Sequence, residues 1–121
     1  MKSKILFIDD EIGVLDMVSD HFSQRGYDVY TASDGDEGVR LSREHRPELV
    51  ILDLKMKNLD GDLAAREIRR ILPAAKIVMI SAYQDELVRH RLRDMGVDEY
   101  YEKPVPILDL ERIVKTATAS T

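Results

Sequence analysis

The sequence predicts an α/β fold in which a parallel sheet of five strands is covered by helices on both faces. Short aliphatic runs alternate along the chain with segments whose apolar residues recur at helical spacing. This alternation repeats five times with short connections. Because crossovers between parallel strands are right-handed, each helix returns to pack on the sheet. The expected architecture is therefore a doubly wound (βα)5 domain.

The first half of the chain contains two strand and helix units and a third strand. The run "KILFI" (4–8) changes abruptly to acids, which is typical of a strand buried on both faces. The next helix is predicted from four apolar residues at helical spacing and from Gly26 as its stop: Val14, Leu15, Val18 and Phe22. The following segments are "YDVYTA" (27–32) as a strand, "DGDEGVRLSREHR" (34–46) as a helix and "ELVILDL" (48–54) as the most apolar strand.

The second half continues the same alternation. A helix is predicted to open at Gly61 and to end before Pro73, and "KIVMISA" (76–82) is the fourth strand. Gly96 closes the fourth helix, and a short fifth strand lies within "VDEYYEK" (97–103). The final helix is predicted within "PILDLERIVKTATA" (106–119), whose apolar residues recur at helical spacing.

Composition limits the classes of function. With 121 residues and 44% hydrophobic content, residues 1–121 are expected to form a single domain. The sequence has no cysteine, which excludes disulfides and thiolate metal sites. A net charge of -5 disfavours direct binding to nucleic acid. The apolar run near the N-terminus is too short for a signal or a membrane span, so we expect a cytoplasmic protein without membrane contact.

Polar residues stand where four of the predicted strands end. In parallel sheets, ligands bind beyond the carboxyl ends of the strands. The residues at these ends are Asp9 and Asp10 after the first strand, Asp53 after the third, Ser81 after the fourth, and Lys103 with Pro104 after the fifth. We expect these side chains to form one site. Taken alone, Asp9 and Asp10 could instead cap the first helix.

The chemistry of this set points to a hard metal ion and to phosphorus. Two carboxylates 4 Å apart repel by about 4 kcal/mol at an effective dielectric constant of 20, so a cation must lie among them. Lys103 is one candidate and a divalent ion is the other, and oxygen ligands favour Mg²⁺. A carboxylate flanked by Mg²⁺ and an ammonium group is suited to attack phosphorus, which makes Asp53 a candidate for an aspartyl phosphate.

Five segments, in order, make the chain resemble the receiver domain of bacterial two-component response regulators over nearly its full length. They are "FIDDE", "ILDLKM", "LDG", "ISAY" and "YYEKP". The resemblance implies the flavodoxin-like strand order 2-1-3-4-5. It also implies a switch that accepts a phosphoryl group from a histidine kinase or a phosphotransfer protein, with Mg²⁺ as the cofactor.

The resemblance assigns a role to each candidate residue. Asp53 would be the phosphoacceptor and, with Asp10 and the backbone carbonyl of Lys55, a direct Mg²⁺ ligand. Asp9 would bind the ion through water. The remaining roles are Ser81 as the hydroxyl donor to the phosphoryl group, Lys103 as its ion-pair partner, Tyr100 as the rotating switch aromatic, and a cis bond before Pro104.

Three positions depart from the usual family pattern. Lys57 stands where proline is common, which is expected to alter the lifetime of the phosphate. Ser81 replaces the more frequent threonine and keeps the hydroxyl. Gly38 lies in a helix where alanine is usual, which should cost about 1 kcal/mol of stability and nothing else.

Several alternatives remain beside the switch. A phosphatase of the haloacid-dehalogenase type would need a second acid two residues after its nucleophile, followed by threonine, and neither Asp9 nor Asp53 has that pattern. A nucleotide-binding module would need a glycine-rich phosphate loop, which the sequence lacks. A degenerate receiver that acts only through protein contact is a third alternative. The chain would be a stand-alone regulator or part of a longer one, with the surface of the fourth helix, fifth strand and fifth helix available to a second copy or an output partner.

Overall fold

The structure is a computed structural model that describes residues 2–53, 61–82 and 86–118, with side chains in the fourth helix from residue 91 onward. It contains five strand and helix pairs in alternation. The strands are β1 (Lys4–Ile8), β2 (Asp28–Ala32), β3 (Leu49–Leu52), β4 (Lys76–Ser81) and β5 (Glu99–Glu102). The helices are α1 (Ile12–Ser23), α2 (Gly35–His45), α3 (Gly61–Ile71), α4 (Glu86–Met95) and α5 (Ile107–Thr118).

The five strands form one parallel sheet in the order β2-β1-β3-β4-β5. Each pair is parallel, and the pairing of β1 with β3 aligns Ile8 with Leu52 at the carboxyl end of both strands. The predicted fold class and strand order are confirmed. The order reverses between β1 and β3, and this is the position where open α/β sheets bind ligands.

Helices cover the two faces of the sheet unequally. One apolar cluster joins the sheet to α2, α3 and α4, and it includes Leu6, Val39, Ile68 and Met95. The other joins the sheet to α1 and α5, and it includes Phe7, Phe22 and Val114. Successive residues of β1 alternate between the clusters, because side chains on a strand point to opposite faces. The central strands are therefore buried on both sides.

The ends of several helices follow the predicted turn chemistry. Asp34 precedes α2 in an extended conformation, and its side chain accepts a hydrogen bond from the backbone N–H of Glu37 at 2.9 Å. Gly26 and Gly96 have positive φ angles of 90° and 79°, which glycine adopts without steric cost. In the described part of the chain, no helix is long and apolar enough to cross a membrane.

Gly38 has a packing role that corrects the expectation from helix propensity alone. A Cβ atom built at Gly38 would lie 2.4 Å from Cδ1 and 3.0 Å from Cγ1 of Ile8. Ile8 is the last residue of β1 and is 1% exposed. The glycine therefore lets α2 approach the strand that carries Asp9, and this contact explains a residue that propensity alone counts as a defect.

Arg69 joins three segments at the amino ends of β4 and β5. Its guanidinium donates to the carbonyl oxygens of Gly96 at 2.9 Å and Ala75 at 2.6 Å, and to Oδ2 of Asp98 at 2.7 Å. The same Asp98 oxygen accepts the backbone N–H of Ile77 at 2.8 Å. Arg69 thus ties the end of α3 to the start of β4 and to the turn that follows α4. No local pattern in the sequence indicates this role for Arg69.

Candidate functional site: an acidic cluster with a bridging lysine

Backbone pairing places the two central acids side by side. The backbone N–H of Asp9 donates to the carbonyl of Ala32, and that of Asp53 donates to the carbonyl of Ile8, both at 3.0 Å. The hydrogen-bond pattern of the sheet thus continues one residue beyond β1 and β3. Because both acids follow neighbouring parallel strands, their side chains emerge at the same edge, as predicted.

Three carboxylates converge at this edge. One oxygen each from Asp9, Asp10 and Asp53 lies within 4.8 Å of the others. Asp9 is buried, Asp53 is half-buried and Asp10 is exposed, so the cluster opens to solvent on the Asp10 side. We call these three residues the acidic cluster. An all-oxygen donor set that keeps access to water fits a hard divalent ion such as Mg²⁺.

Lys103 bridges two members of the acidic cluster. Its Nζ atom donates to Oδ2 of Asp9 at 2.9 Å and to Oδ2 of Asp53 at 2.8 Å. Burial lowers the pKa of Lys103, but the hydrogen bonds and charges of Asp53 and Asp9 outweigh it and raise the pKa above its usual 10.5. The lysine is therefore charged throughout the physiological range and neutralises part of the cluster.

Asp9 also fixes the start of the first helix. Its Oδ1 atom accepts the backbone N–H of Glu11 at 3.0 Å, while Oδ2 accepts from Lys103. The N-cap residue of α1 is Glu11, and its own side chain makes no capping hydrogen bond. Asp9 thus stabilises the turn through Oδ1 and binds the lysine ammonium group through Oδ2. An Asp two residues before a backbone N–H is the signal that predicts such a turn.

Ser81 and the two tyrosines lie on the neighbouring strands. Ser81 ends β4, is 1% exposed and pairs in register with Glu102 of β5. The backbone N–H of Lys103 donates to the Ser81 carbonyl at 3.0 Å, which ties the lysine to the end of β4. Tyr100 packs against the cluster under α2, α3 and α4, whereas Tyr101 packs against the α1 and α5 cluster. The two rings therefore lie on opposite faces of the sheet.

The segment after β5 has the expected peptide geometry, whereas two positions with predicted roles lie outside the described residues. The bond between Lys103 and Pro104 is cis. The Lys55 carbonyl expected to bind the metal lies outside the described residues, as does Lys57. Their predicted roles stay predictions.

Comparisons with known proteins agree with this geometry. The family model for the response regulator receiver domain matches residues 5–115. The chain is 31% identical over 115 residues to the alkaline phosphatase synthesis transcriptional regulatory protein PhoP of Bacillus subtilis, covering 95% of this chain and 48% of that protein. It is 36% identical over 115 residues to the probable transcriptional regulator ycf27 of Porphyridium aerugineum, again covering 95% and 48%.

A solved structure gives the same result for the fold. The CheY-like response regulator receiver domain protein of Methanospirillum hungatei superposes with a TM-score of 0.90 at 25% identity, covering 97% of this chain and 94% of that one. The chain spans about half the length of the curated relatives it matches. The match over residues 5–115, together with the fold, shows that the chain belongs to the response regulator receiver domain family.

Proposed function

We propose that this receiver domain is switched by phosphorylation of Asp53, with the phosphoryl group supplied by a histidine kinase or a phosphotransfer protein. The observation that carries the proposal is the position of the Asp53 carboxylate, 2.8 Å from the Lys103 ammonium group and within an acidic cluster suited to Mg²⁺. This arrangement leaves a nucleophilic oxygen beside positive charge, which phosphoryl transfer to a carboxylate requires.

The proposed step conserves atoms and charge. A carboxylate oxygen of Asp53 attacks phosphorus as the P–N bond of a phosphohistidine breaks, and the bonding pair leaves with the imidazole nitrogen of the partner. The product is an acyl phosphate on Asp53. Attack of water on phosphorus would later break the bond between phosphorus and the Asp53 oxygen, release inorganic phosphate and return the carboxylate. The domain would thus assist its own reset without being an enzyme that acts on a separate substrate.

Each neighbouring group has a part in this step. Asp9, Asp10 and Asp53, with the Lys55 carbonyl as a predicted further ligand, would hold Mg²⁺, which when bound offsets the negative charge of the phosphoryl oxygens. Lys103 would contact one of those oxygens, and the Ser81 hydroxyl would donate a hydrogen bond to another. Because Lys103 already bonds to Asp53, a small movement of its ammonium group would be enough.

Phosphorylation would be transmitted through β4 and β5. Ser81 and Tyr100 lie on adjacent strands, with Tyr100 in register with Met79, two residues before Ser81. A shift of Ser81 toward the phosphoryl group would release space that the Tyr100 ring can enter, which is a local change that biases a two-state surface. The affected surface would be that of α4, β5 and α5, where a second copy or an output partner would dock.

Two alternatives to a phosphorylated switch are disfavoured. The set of acid, hydroxyl and lysine argues against a degenerate receiver, because a protein that acts only by contact has no need of it. Membership of the receiver family argues against a phosphatase of the haloacid-dehalogenase type. The single-domain boundary at 1–121, the cytoplasmic location and the absence of direct nucleic-acid contact remain parts of this proposal.

Incubation with Mg²⁺ and acetyl phosphate tests the proposal directly. Intact mass spectrometry should detect one added phosphoryl group on the wild type and none on Asp53→Asn. Asp28→Asn, which changes an acid at the start of β2, is the matched control and should be phosphorylated normally. Unmodified wild type, or phosphorylated Asp53→Asn, would contradict the assignment.

A further inference from the structure

A cavity of about 290 Å³ lies between the sheet, α1 and the segment that follows β5. Its walls are mainly apolar and come from three strands, β1, β3 and β4, and from both helices of this face: Phe7, Leu15, Val18, Ile51, Ile80 and Leu110. Val14 and Met17 on α1 and Val105 also line it. Met17 is 46% exposed, so the cavity communicates with the surface along α1.

The polar rim of the cavity is acidic. Asp9 and Asp53 lie on one side, and their charge is partly offset by the bridging Lys103. Glu11 lies on the rim as well and is exposed. Among the residues that the structure describes, its carboxylate has no hydrogen-bond or ion-pair partner. Glu11 is therefore an exposed anion at the cavity mouth.

We propose that this cavity is a binding site for a small organic cation, with a flat apolar body inside the cavity and a protonated amine at Glu11. The apolar walls select the body, since pockets for small molecules combine apolar walls with a few polar groups that set orientation. In the metal-free protein the rim selects the charge, because its three carboxylates outnumber the single Lys103 ammonium group and favour a cation.

The size of the cavity limits the ligand further. A dry apolar cavity of roughly 150 Å³ accommodates a benzene ring. The present cavity, at about 290 Å³, has nearly twice that volume. A fused bicyclic ring with a two-carbon amine arm fits within this volume. The inference does not depend on phosphorylation, because it concerns the unmodified protein without bound metal.

Three indole compounds of similar size separate the role of charge from that of shape. Tryptamine is a cation at neutral pH, tryptophol is neutral and indole-3-propionate is an anion. We expect tryptamine to bind saturably, as measured by amide chemical shifts in NMR spectra of the ¹⁵N-labelled protein, with the largest shifts at Leu15, Val18 and Leu110. Tryptophol should bind roughly two- to fivefold more weakly, which is the usual contribution of a solvent-exposed ion pair.

Two variants test the two parts of the site. Glu11→Gln should weaken the binding of tryptamine by the same two- to fivefold and leave the affinity for tryptophol unchanged. Val14→Phe should fill the cavity and weaken the binding of both compounds by about tenfold or more. Asp16→Asn removes an exposed acid from the same helix without touching the cavity and should bind tryptamine like the wild type.

Specific results would overturn the proposal. Shifts that do not saturate, or that map away from α1 and α5, would show that the cavity takes no such ligand. Equal affinity for the cation, the neutral compound and the anion would refute the acidic rim as the selective element. Because Glu11 is exposed, Glu11→Gln should remain folded, and its spectrum provides the check.

Discussion

The Nζ atom of Lys103 lies 2.8 Å from Oδ2 of Asp53 across a part of the site where the two side chains are 23% and 11% exposed. At this degree of burial, removing one partner leaves the other charge without compensation, which costs more than the loss of a surface ion pair. If Lys103 is removed, the charges that remain are the carboxylates of the acidic cluster, and each of them loses the nearby positive charge.

Lys103→Met is therefore expected to destabilise the metal-free protein by about 1–3 kcal/mol, because Asp9 and Asp53 then repel without a cation between them. Mg²⁺ should restore much of the loss, since an ion that binds only the folded state stabilises it. Urea unfolding with and without Mg²⁺ measures both effects. A variant that is as stable as the wild type without metal would contradict the bridging role.

The pH dependence of the contribution of Lys103 to stability follows from the direction of its pKa shift. The folded state raises the pKa of Lys103 above 10.5, so the stabilisation is fully present below about pH 10.5 and is lost as pH rises through the folded value. The stability difference between wild type and Lys103→Met should thus be constant from pH 6 to 9 and narrow only at higher pH. A difference that narrows near neutrality would assign the effect to another group.

Asp10 provides a test of the metal site that avoids the phosphoacceptor. Asp10→Asn should weaken Mg²⁺ binding by about tenfold or more, because it removes one of three anionic ligands, while changing stability by less than about 0.5 kcal/mol at an exposed position. Isothermal titration calorimetry measures the affinity. The control is Asp36→Asn, an exposed acid on α2. Equal affinities for the two variants would exclude Asp10 as a ligand.

Arg69 and Arg70 are adjacent on α3 but differ in their contacts. Arg69 donates to the backbone carbonyls of Gly96 and Ala75 and pairs with Asp98, whereas Arg70 is 78% exposed and pairs with Glu67. Arg69→Ala should lower the free energy of unfolding by about 2–4 kcal/mol, since several charge-assisted hydrogen bonds are lost. Arg70→Ala should lie within about 0.5 kcal/mol of the wild type. Similar losses for both would refute the network.

Gly38 and Gly13 make a matched pair of helical glycines with opposite expectations. A Cβ atom at Gly13 meets nothing within 4 Å, so Gly13→Ala should stabilise by about 0.5–1 kcal/mol. Gly38→Ala should instead destabilise by up to about 2 kcal/mol, because overpacking against Ile8 costs about 1–3 kcal/mol and exceeds the gain in propensity.

An additional substitution tests the mechanism. Ile8→Val removes the Cδ1 atom that the new Cβ would meet at 2.4 Å. In that background, Gly38→Ala should become neutral or stabilising, and a double-mutant cycle by urea unfolding measures the coupling. Additive effects would show that the contact with Ile8 is not the cause.

Local patterns in the sequence were sufficient for the architecture and for the composition of the site. The buried strands are continuous aliphatic runs, and their alternation with helical periodicity leaves few arrangements other than a doubly wound parallel sheet. Asp53 could be singled out because an acid at the end of such a run needs compensation. These are statements about single segments and about chain order, which the sequence contains directly.

The contacts that cross between segments were decided by tertiary structure. Lys103 bonds to both Asp9 and Asp53, and Arg69 bonds to Gly96 and Asp98, through chain separations that no periodicity encodes. Gly38 lowers the helix propensity of α2, and the reason for a glycine there becomes apparent only when α2 packs against Ile8. The sequence by itself determines which groups end each strand, whereas distances, burial and the cavity beneath Glu11 depend on how the helices pack over the sheet.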